Sequence, residues 1–149
     1  MKSEPHTTVP QFLALCAAGD PEADAMVAPL VGWEPITEAN ATMETRNLVG
    51  RGYWTRGTVI ATRDLPPYAT AGPEHPERWR LWGEMWEALH ADERAGVITF
   101  HATHPVHPRW CVALWIRERG HTSIKAPTPN AALAAALGLA NNHLKEDEP

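Results

Sequence analysis

The chain has little of what marks several large classes of protein. It contains two cysteines in 149 residues, Cys16 and Cys111, far apart and each in apolar surroundings. That excludes a disulfide-rich secreted scaffold and is typical of buried thiols in a reducing cytoplasm. No apolar run reaches the roughly 18 to 20 residues that cross a bilayer, and the opening residues lack the apolar segment of a secretory signal. We therefore expect a cytoplasmic protein without a membrane partner.

Positive charge is also scarce. The 13 Lys and Arg residues are outnumbered by 18 Asp and Glu residues, which gives a formal net charge of -5, and the basic residues are scattered. A protein that binds duplex nucleic acid needs clustered cations to replace the counterions on phosphates, so the composition disfavours a nucleic-acid partner. The length and the 44% hydrophobic fraction fit one globular domain that spans residues 1–149.

Recognisable catalytic motifs are missing as well. The sequence has no Gly-x-Ser-x-Gly elbow, no Gly-x-x-x-x-Gly-Lys phosphate loop and no Cys-x-x-Cys pair. Glu84 and Glu87 share a polar helix face with Arg80, where ion pairing explains them without a reaction. The sequence therefore leans away from an enzyme, and we expect no cofactor.

What the sequence does contain is a set of clear helix starts. Thr7 or Thr8, then Asp20, and finally Thr128 can each accept a hydrogen bond from the backbone of the turn that follows. A proline stands within three residues of each, where its fixed backbone angle suits the first turn of a helix. These signals predict three helices, the last of them rich in alanine.

The longest predicted helix occupies residues 77–96 and is rich in tryptophan. Its apolar stripe, at three- and four-residue steps, consists of Trp79, Trp82, Trp86 and Leu89. Helical spacing favours core packing for this stripe, with a base-stacking or cofactor platform as the alternative. Leu81 and Ala88 widen the apolar arc beyond what one sheet needs, so we expect either contact with the N-terminal helices or a homodimer interface.

The segment RWCVALWIRER, residues 109–119, fixes the predicted architecture. Its two faces are Trp110, Val112, Leu114 and Ile116 on one side, and Cys111, Ala113 and Trp115 on the other. Because both faces are apolar, the segment is predicted to be a central strand that helices cover on both sides. With the order of elements, this predicts an α+β fold, a layered α-β-α sandwich around a mainly antiparallel sheet of about four to five strands. The acidic end, residues 143–149, is expected to fray.

Three stretches resemble the phage ABA-sandwich domain family, small proteins of phages and prophages. They are the N-terminal helical segment leading to VGWEPI, then LPPYAT followed by WGEMWEAL, and the C-terminal APTPNAALAAALGL. The chain departs from the family pattern where AGPEHPER follows Thr70, and it lacks the usual cysteine of the last helix. The resemblance covers nearly the whole chain. It implies a layered fold and a phage or prophage protein in the host cytoplasm, and it implies no reaction.

The stretch HATHPVHPRW is the one candidate for a metal site. His101, His104 and His107 stand three residues apart, the first inside a predicted strand and the others in a loop with two prolines. A zinc site needs imidazoles that converge on one point, usually with a fourth ligand. A proline-stiffened turn with solvated imidazoles explains the pattern better, so we predict no metal site and keep these histidines as the alternative.

A second candidate is the loop RDLPPYAT together with a nearby tryptophan. Arg63 can hold an anion, Asp64 a hydroxyl group, and Tyr68 and Trp54 offer aromatic rings. Loops on rigid scaffolds often carry function, although Leu-Pro-Pro is also a common way for a chain to leave a strand. These four residues are the predicted ligand-binding set.

From these observations we expect a phage or prophage accessory protein that acts by binding a host or phage protein, or a small ligand. The alternative is a small-molecule or nucleotide-binding protein that sequesters a host signal. A metal-dependent hydrolase centred on the histidines ranks third.

Overall fold

The computed structural model describes residues 7–57, 59–102, 109–117 and 119–146, with the backbone alone for 59–62. The helices are α1 (Val9–Ala17), α2 (Pro21–Val27), α3 (Arg78–Ala91) and α4 (Pro129–Ala140). The strands are β1 (Glu34–Pro35), β2 (Trp54–Arg56), β3 (Val59–Thr62), β4 (Ala95–Ala102), β5 (Trp110–Ile116) and β6 (Gly120–Ala126). Two short 3₁₀ helices occupy Ala28–Val31 and Arg46–Leu48.

The strands form two antiparallel sheets, with the orders β1-β2-β3 and β4-β5-β6. The predicted α+β class with antiparallel pairing is confirmed. The strands divide into two sheets of three rather than joining in one. Each sheet contains strands that are consecutive in the chain, because a proline-rich connection and α3 come between the two groups. A layered sandwich is compatible with this arrangement.

The predicted helix starts are confirmed by their capping hydrogen bonds. Thr8 Oγ1 accepts from the backbone N–H of Gln11 at 3.3 Å, and the Gln11 side chain accepts in return from the N–H of Thr8 at 2.9 Å. Asp20 Oδ1 accepts from the N–H of Glu22 at 2.9 Å. Thr128 caps α4 in the same way. These bonds satisfy N–H groups that the first helical turn leaves without partners.

Helix α4 is the centre of the core. All twelve of its residues are buried, and α1, α2, α3 and the strands β5 and β6 surround it. A helix that is apolar on every side is stable only where every side is covered. Gly138 also leaves room for the side chain of Leu144, since a Cβ there would lie 2.8 Å from Cδ1 of Leu144.

Helix α3 buries a different stripe from the one expected. Leu81, Met85 and Leu89 are fully buried, whereas Trp79 is 47% exposed and the other two tryptophans are half-buried. Of the two alternatives expected for the apolar arc, contact within the chain is observed, against α4 and the 3₁₀ helix after α2. The helix also ends at Ala91 instead of Gly96, which belongs to β4.

Strand β5 meets its prediction on one face only. Val112, Leu114 and Ile116 are at most 1% exposed, and α4 covers them. The opposite face carries Trp115, which is 38% exposed. In the part of the chain that the structure describes, helices therefore cover one side of the β4–β6 sheet, and the prediction of helices on both sides is not met.

The chain end is more ordered than predicted over the residues that the structure describes. Leu144 is buried beside Gly138, and the backbone of Lys145 is held by two hydrogen bonds, to Val9 N at 2.9 Å and Thr7 O at 3.0 Å. The prediction of fraying is thus wrong for these two residues, because an apolar side chain in an acidic segment anchors it. Residues 147–149 lie outside the described range.

Candidate functional site

The structure does not form the predicted ligand site from its four residues. Tyr68 is completely buried (0% exposed), so its ring cannot meet a ligand from solution. Trp54 is half-buried in β2, the central strand of its sheet, instead of lying exposed at a sheet edge. Arg63 and Asp64 are exposed just after β3. The Leu-Pro-Pro segment follows β3, and the next residue, Tyr68, lies in the core.

Tyr68 is instead the centre of a buried hydrogen-bond cluster. Its hydroxyl accepts from Trp33 Nε1 at 2.9 Å and from Arg56 Nη1 at 3.0 Å, and it donates to Glu84 Oε1 at 2.9 Å. Arg56 also pairs with Glu84 directly, and its guanidinium lies 4.8 Å from the Trp33 ring centroid. Glu84 holds Arg80 through its second oxygen at 2.9 Å.

This cluster joins three separate elements and leaves the phenol fully hydrogen-bonded. It links α3 to β2 and to the segment after the first 3₁₀ helix. Burial raises the pKa of the Tyr68 phenol, and the hydrogen bond from Trp33 opposes that rise. A buried, neutral phenol whose oxygen already has three partners is suited to fixing the first sheet against α3.

A second buried polar contact holds the connection that follows Tyr68. Asp24 Oδ1 accepts from the N–H groups of Ala69 at 2.8 Å and Thr70 at 3.1 Å, and Oδ2 accepts from Thr70 Oγ1 at 2.7 Å. Burial raises the pKa of Asp24, while these hydrogen bonds lower it. Burial, together with the charge of Asp24, raises the pKa of the Cys16 thiol to about 12. Both groups act as structural parts of the core.

The histidine stretch is only partly within the described residues. His101 lies near the end of β4 with its side chain exposed, while His104 and His107 fall in the range 103–108, outside the described residues. Among the residues that the structure does describe, no group of three His, Cys, Asp or Glu side chains is placed to hold a metal ion.

The tryptophans of α3 form an aromatic layer over the sheet. Trp82 stacks on Trp86 with centroids 4.9 Å apart and lies 4.7 Å from Phe100 of β4. Phe100 in turn stacks on Trp110 of β5 at 5.2 Å, and Trp79 contacts Trp110 edge-on at 6.1 Å. The favoured prediction, core packing, fits Trp82 and Trp86, which pack against the core. Trp79 lies at the surface end of this layer.

One side of the β4–β6 sheet packs on α4, and the other side faces away from it. We call this other side the outer face. The outer face consists of Thr99, His101, Cys111, Ala113, Trp115, His121, Ser123 and Lys125. The strand pairing determines which of these residues are neighbours. His101 and Lys125 flank Cys111, and His121 is paired with Trp115.

The outer face is exposed and carries charge of one sign. His101, His121 and Lys125 are exposed, and Arg117, two residues after Trp115, continues the same side of β5 as an exposed side chain. The strands β4, β5 and β6 contain no Asp or Glu. Cys111, between His101 and Lys125 in the register, is 4% exposed.

A strained residue marks one end of the outer face. The pairing of β4 with β5 shifts between Gly96 and Thr99, and Val97 lies in this bulge with a φ of 49°. A β-branched side chain rarely adopts the left-handed region, and Val97 is 77% exposed. Strain of this kind is concentrated at functional sites.

Sequence reasoning missed the outer face although a signal was present. Polar residues alternate with inward-facing ones in HTSIKA, which places His121, Ser123 and Lys125 on one side. The apolar residues of β5 obscured this alternation by suggesting that the same side was covered. The alternation in β6 indicated the exposed side of the sheet better than the composition of β5 did.

Comparisons with known proteins give no further identification: no family model, curated protein or solved structure matches the chain. None of the helices in the described residues combines the length and apolar character that a bilayer crossing requires.

Proposed function

We propose that this chain is a binding protein whose contact surface is the outer face of the β4–β6 sheet. The supporting observation is Trp115, a large aromatic side chain that is 38% exposed on the side of β5 that folding leaves uncovered. Exposed apolar groups with a polar rim are typical of interaction sites, and charged or histidine side chains surround this one. The proposal includes the setting that the family resemblance implies, a phage or prophage accessory protein in the host cytoplasm.

A site-specific crosslinker tests the proposal for any partner that the outer face contacts. A photoreactive amino acid at Ser123, exposed on the outer face, is expected to give one defined, saturable adduct in the cell. The same group at Met43, which is 90% exposed and far from β4–β6 in sequence, is the control and should give none. Equal labelling from both positions, or none from Ser123, contradicts the proposal. An adduct of two chains would identify the predicted homodimer as the partner.

A second candidate function, small-molecule binding, is favoured by a groove beside β6. The groove has a volume of about 550 Å³, within the range of ligand pockets. Its walls are β6, from His121 to Lys125, and α1, with Leu139 of α4 and Glu146 at its borders. For small-molecule binding, this groove is a better candidate site than the predicted set that includes Tyr68, because Tyr68 is buried.

The two candidates differ in how they respond to small ligands. A thermal-shift screen against nucleotides and other small anions should leave the melting temperature unchanged if the outer face binds a macromolecule. A shift that Leu13→Trp abolishes, by filling the groove, would favour the small-molecule function, since Leu13 lines the groove from α1.

A further inference from the structure

We propose that the outer face binds single-stranded nucleic acid. This inference rests on the proposed function, because it names the partner class of the same surface. Its basis is the distribution of charge. The chain has 18 acidic residues and a net charge of -5, yet the strands that form the face contain none of them. The acidic residues nearest in sequence are Asp92 and Glu93, in the turn before β4, and Glu118, which follows Arg117 in the sequence. The overall charge, which disfavours nucleic acid, therefore does not describe this surface.

Basic and histidine side chains stand at both ends of the face, where a strand of phosphates can meet them. Lys125 and His101 flank Cys111 at one end, while Arg117 and His121 lie near Trp115 at the other. From Cys111 to Arg117 the face is about 20 Å long, at roughly 3.3 Å per residue. Such a length matches a few nucleotides and is too short for a long duplex contact.

Trp115 provides a ring on which the bases of a nucleic acid can stack and on which a poly-glutamate chain cannot. Its neighbours across the strands are Gly96 and His121, and a Cβ at Gly96 would be 3.9 Å from the indole. The ring therefore lies close to Gly96, and 38% of the residue's surface is exposed in the part of the chain that the structure describes. Unpaired bases stack on such rings whatever their sequence, whereas the bases of a duplex are already stacked on each other.

Fluorescence anisotropy with a labelled oligothymidylate of about 12 nucleotides tests the inference on the full chain. Binding should weaken with salt, with a slope of log K against log salt of about -1.4 to -2.8 for two to four phosphate contacts. The pair Arg117→Glu and Lys125→Glu should lower affinity by about tenfold or more. The pair Arg46→Glu and Arg51→Glu makes the same charge change at exposed residues outside the sheet, and should lower it by less than about twofold.

Replacement of the central ring separates stacking from charge. Trp115→Phe should keep most of the affinity, and Trp115→Ser should lose about tenfold. All variants are checked by circular dichroism for an unchanged fold. Equal losses from the face pair and the control pair would overturn the inference, because they would indicate general charge attraction.

A poly-glutamate probe and a duplex of equal length distinguish failure of the inference from failure of the proposed function. If poly-glutamate binds and the oligothymidylate does not, and the face pair abolishes binding, the nucleic-acid inference is wrong and the outer face remains a binding surface. Preference for the duplex also overturns the inference. If no probe binds and crosslinking from Ser123 gives no adduct, both proposals are wrong.

Discussion

The two faces of the β4–β6 sheet have similar amino-acid character on β5 and opposite surroundings. On the inner face, Val112, Leu114 and Ile116 are almost without solvent contact beneath α4. On the outer face, Trp115 keeps 38% of its surface in solvent between histidines and cations. Apolar residues on one strand therefore differ in their surroundings: the inner set is buried and stabilises the fold, whereas Trp115 of the outer set retains contact with solvent.

The inner face should dominate stability, which a paired truncation can check. Leu114→Ala leaves a cavity against α4 and is expected to reduce the free energy of unfolding by about 2 to 5 kcal/mol. Trp115→Ala removes a larger side chain but is expected to cost only about 1 kcal/mol, because solvent already reaches it. Urea denaturation measures both values. A cost for Trp115→Ala as large as that for Leu114→Ala would show that the outer face is part of the core.

The two tyrosines also differ in burial: Tyr68 is completely buried, and Tyr53 is half-buried. Tyr68→Phe removes the acceptor of a buried donor, Trp33 Nε1, and of a part-buried donor, Arg56 Nη1, so it should cost about 1 to 3 kcal/mol. Tyr53→Phe is the control, since Tyr53 is half-buried and should change stability by less than about 0.5 kcal/mol. Thermal unfolding monitored by tryptophan fluorescence compares them, and equal effects would contradict the structural role of the cluster.

Asp24 makes the stability of the buried side depend on pH. Because its pKa is raised in the folded state, the native protein binds its proton more tightly than the unfolded chain does. The contribution to stability is therefore full below the ordinary pKa of 3.8 and is lost as the pH rises through the raised pKa.

The variant Asp24→Asn isolates this effect, since its amide oxygen can still accept from Ala69 and Thr70. The difference in unfolding free energy, wild type minus variant, should fall as the pH increases from acid towards neutral. Urea titrations across that range measure it. A difference that rises with pH would mean that the hydrogen bonds to Asp24 outweigh its burial.

The smallest predicted effect concerns the strained bulge on the outer face. Val97→Asn should stabilise the protein by about 1 kcal/mol, because asparagine tolerates the left-handed region better than valine. Thr99→Asn is the control on the same strand and the same exposed face, and it should be neutral or slightly destabilising. A loss of stability in Val97→Asn would show that the valine side chain is needed for folding.

The sequence predicted the parts of the fold that depend on local chemistry. Capping residues such as Thr8 and Asp20 start helices through bonds within their own turn, so the pattern alone was enough. The course of Tyr68 into the core depends on Trp33, Arg56 and Glu84, which are distant in sequence, and local patterns carry no information on that meeting.

The same limit explains the misjudged surfaces. Helical periodicity identifies an apolar arc on α3, but which part of the arc is deepest depends on the position of α4, so Met85 is buried and Trp79 is half in solvent. Apolar residues on both sides of β5 were interpreted as two covered faces, because apolar character alone does not distinguish a core from a binding surface. The open outer face needed the register of the three strands to be recognised.

The central claim is that the outer face, and not α4 or the groove, changes its environment on binding. Backbone amide spectra of the ¹⁵N-labelled chain, recorded with and without the oligothymidylate, test it most directly. The account predicts shifts centred on His101, Ala113 and Trp115, which belong to the outer face and do not line the groove, with the amides of α4 unchanged. Shifts confined to the groove beside α1, or spread evenly over the chain, would contradict it.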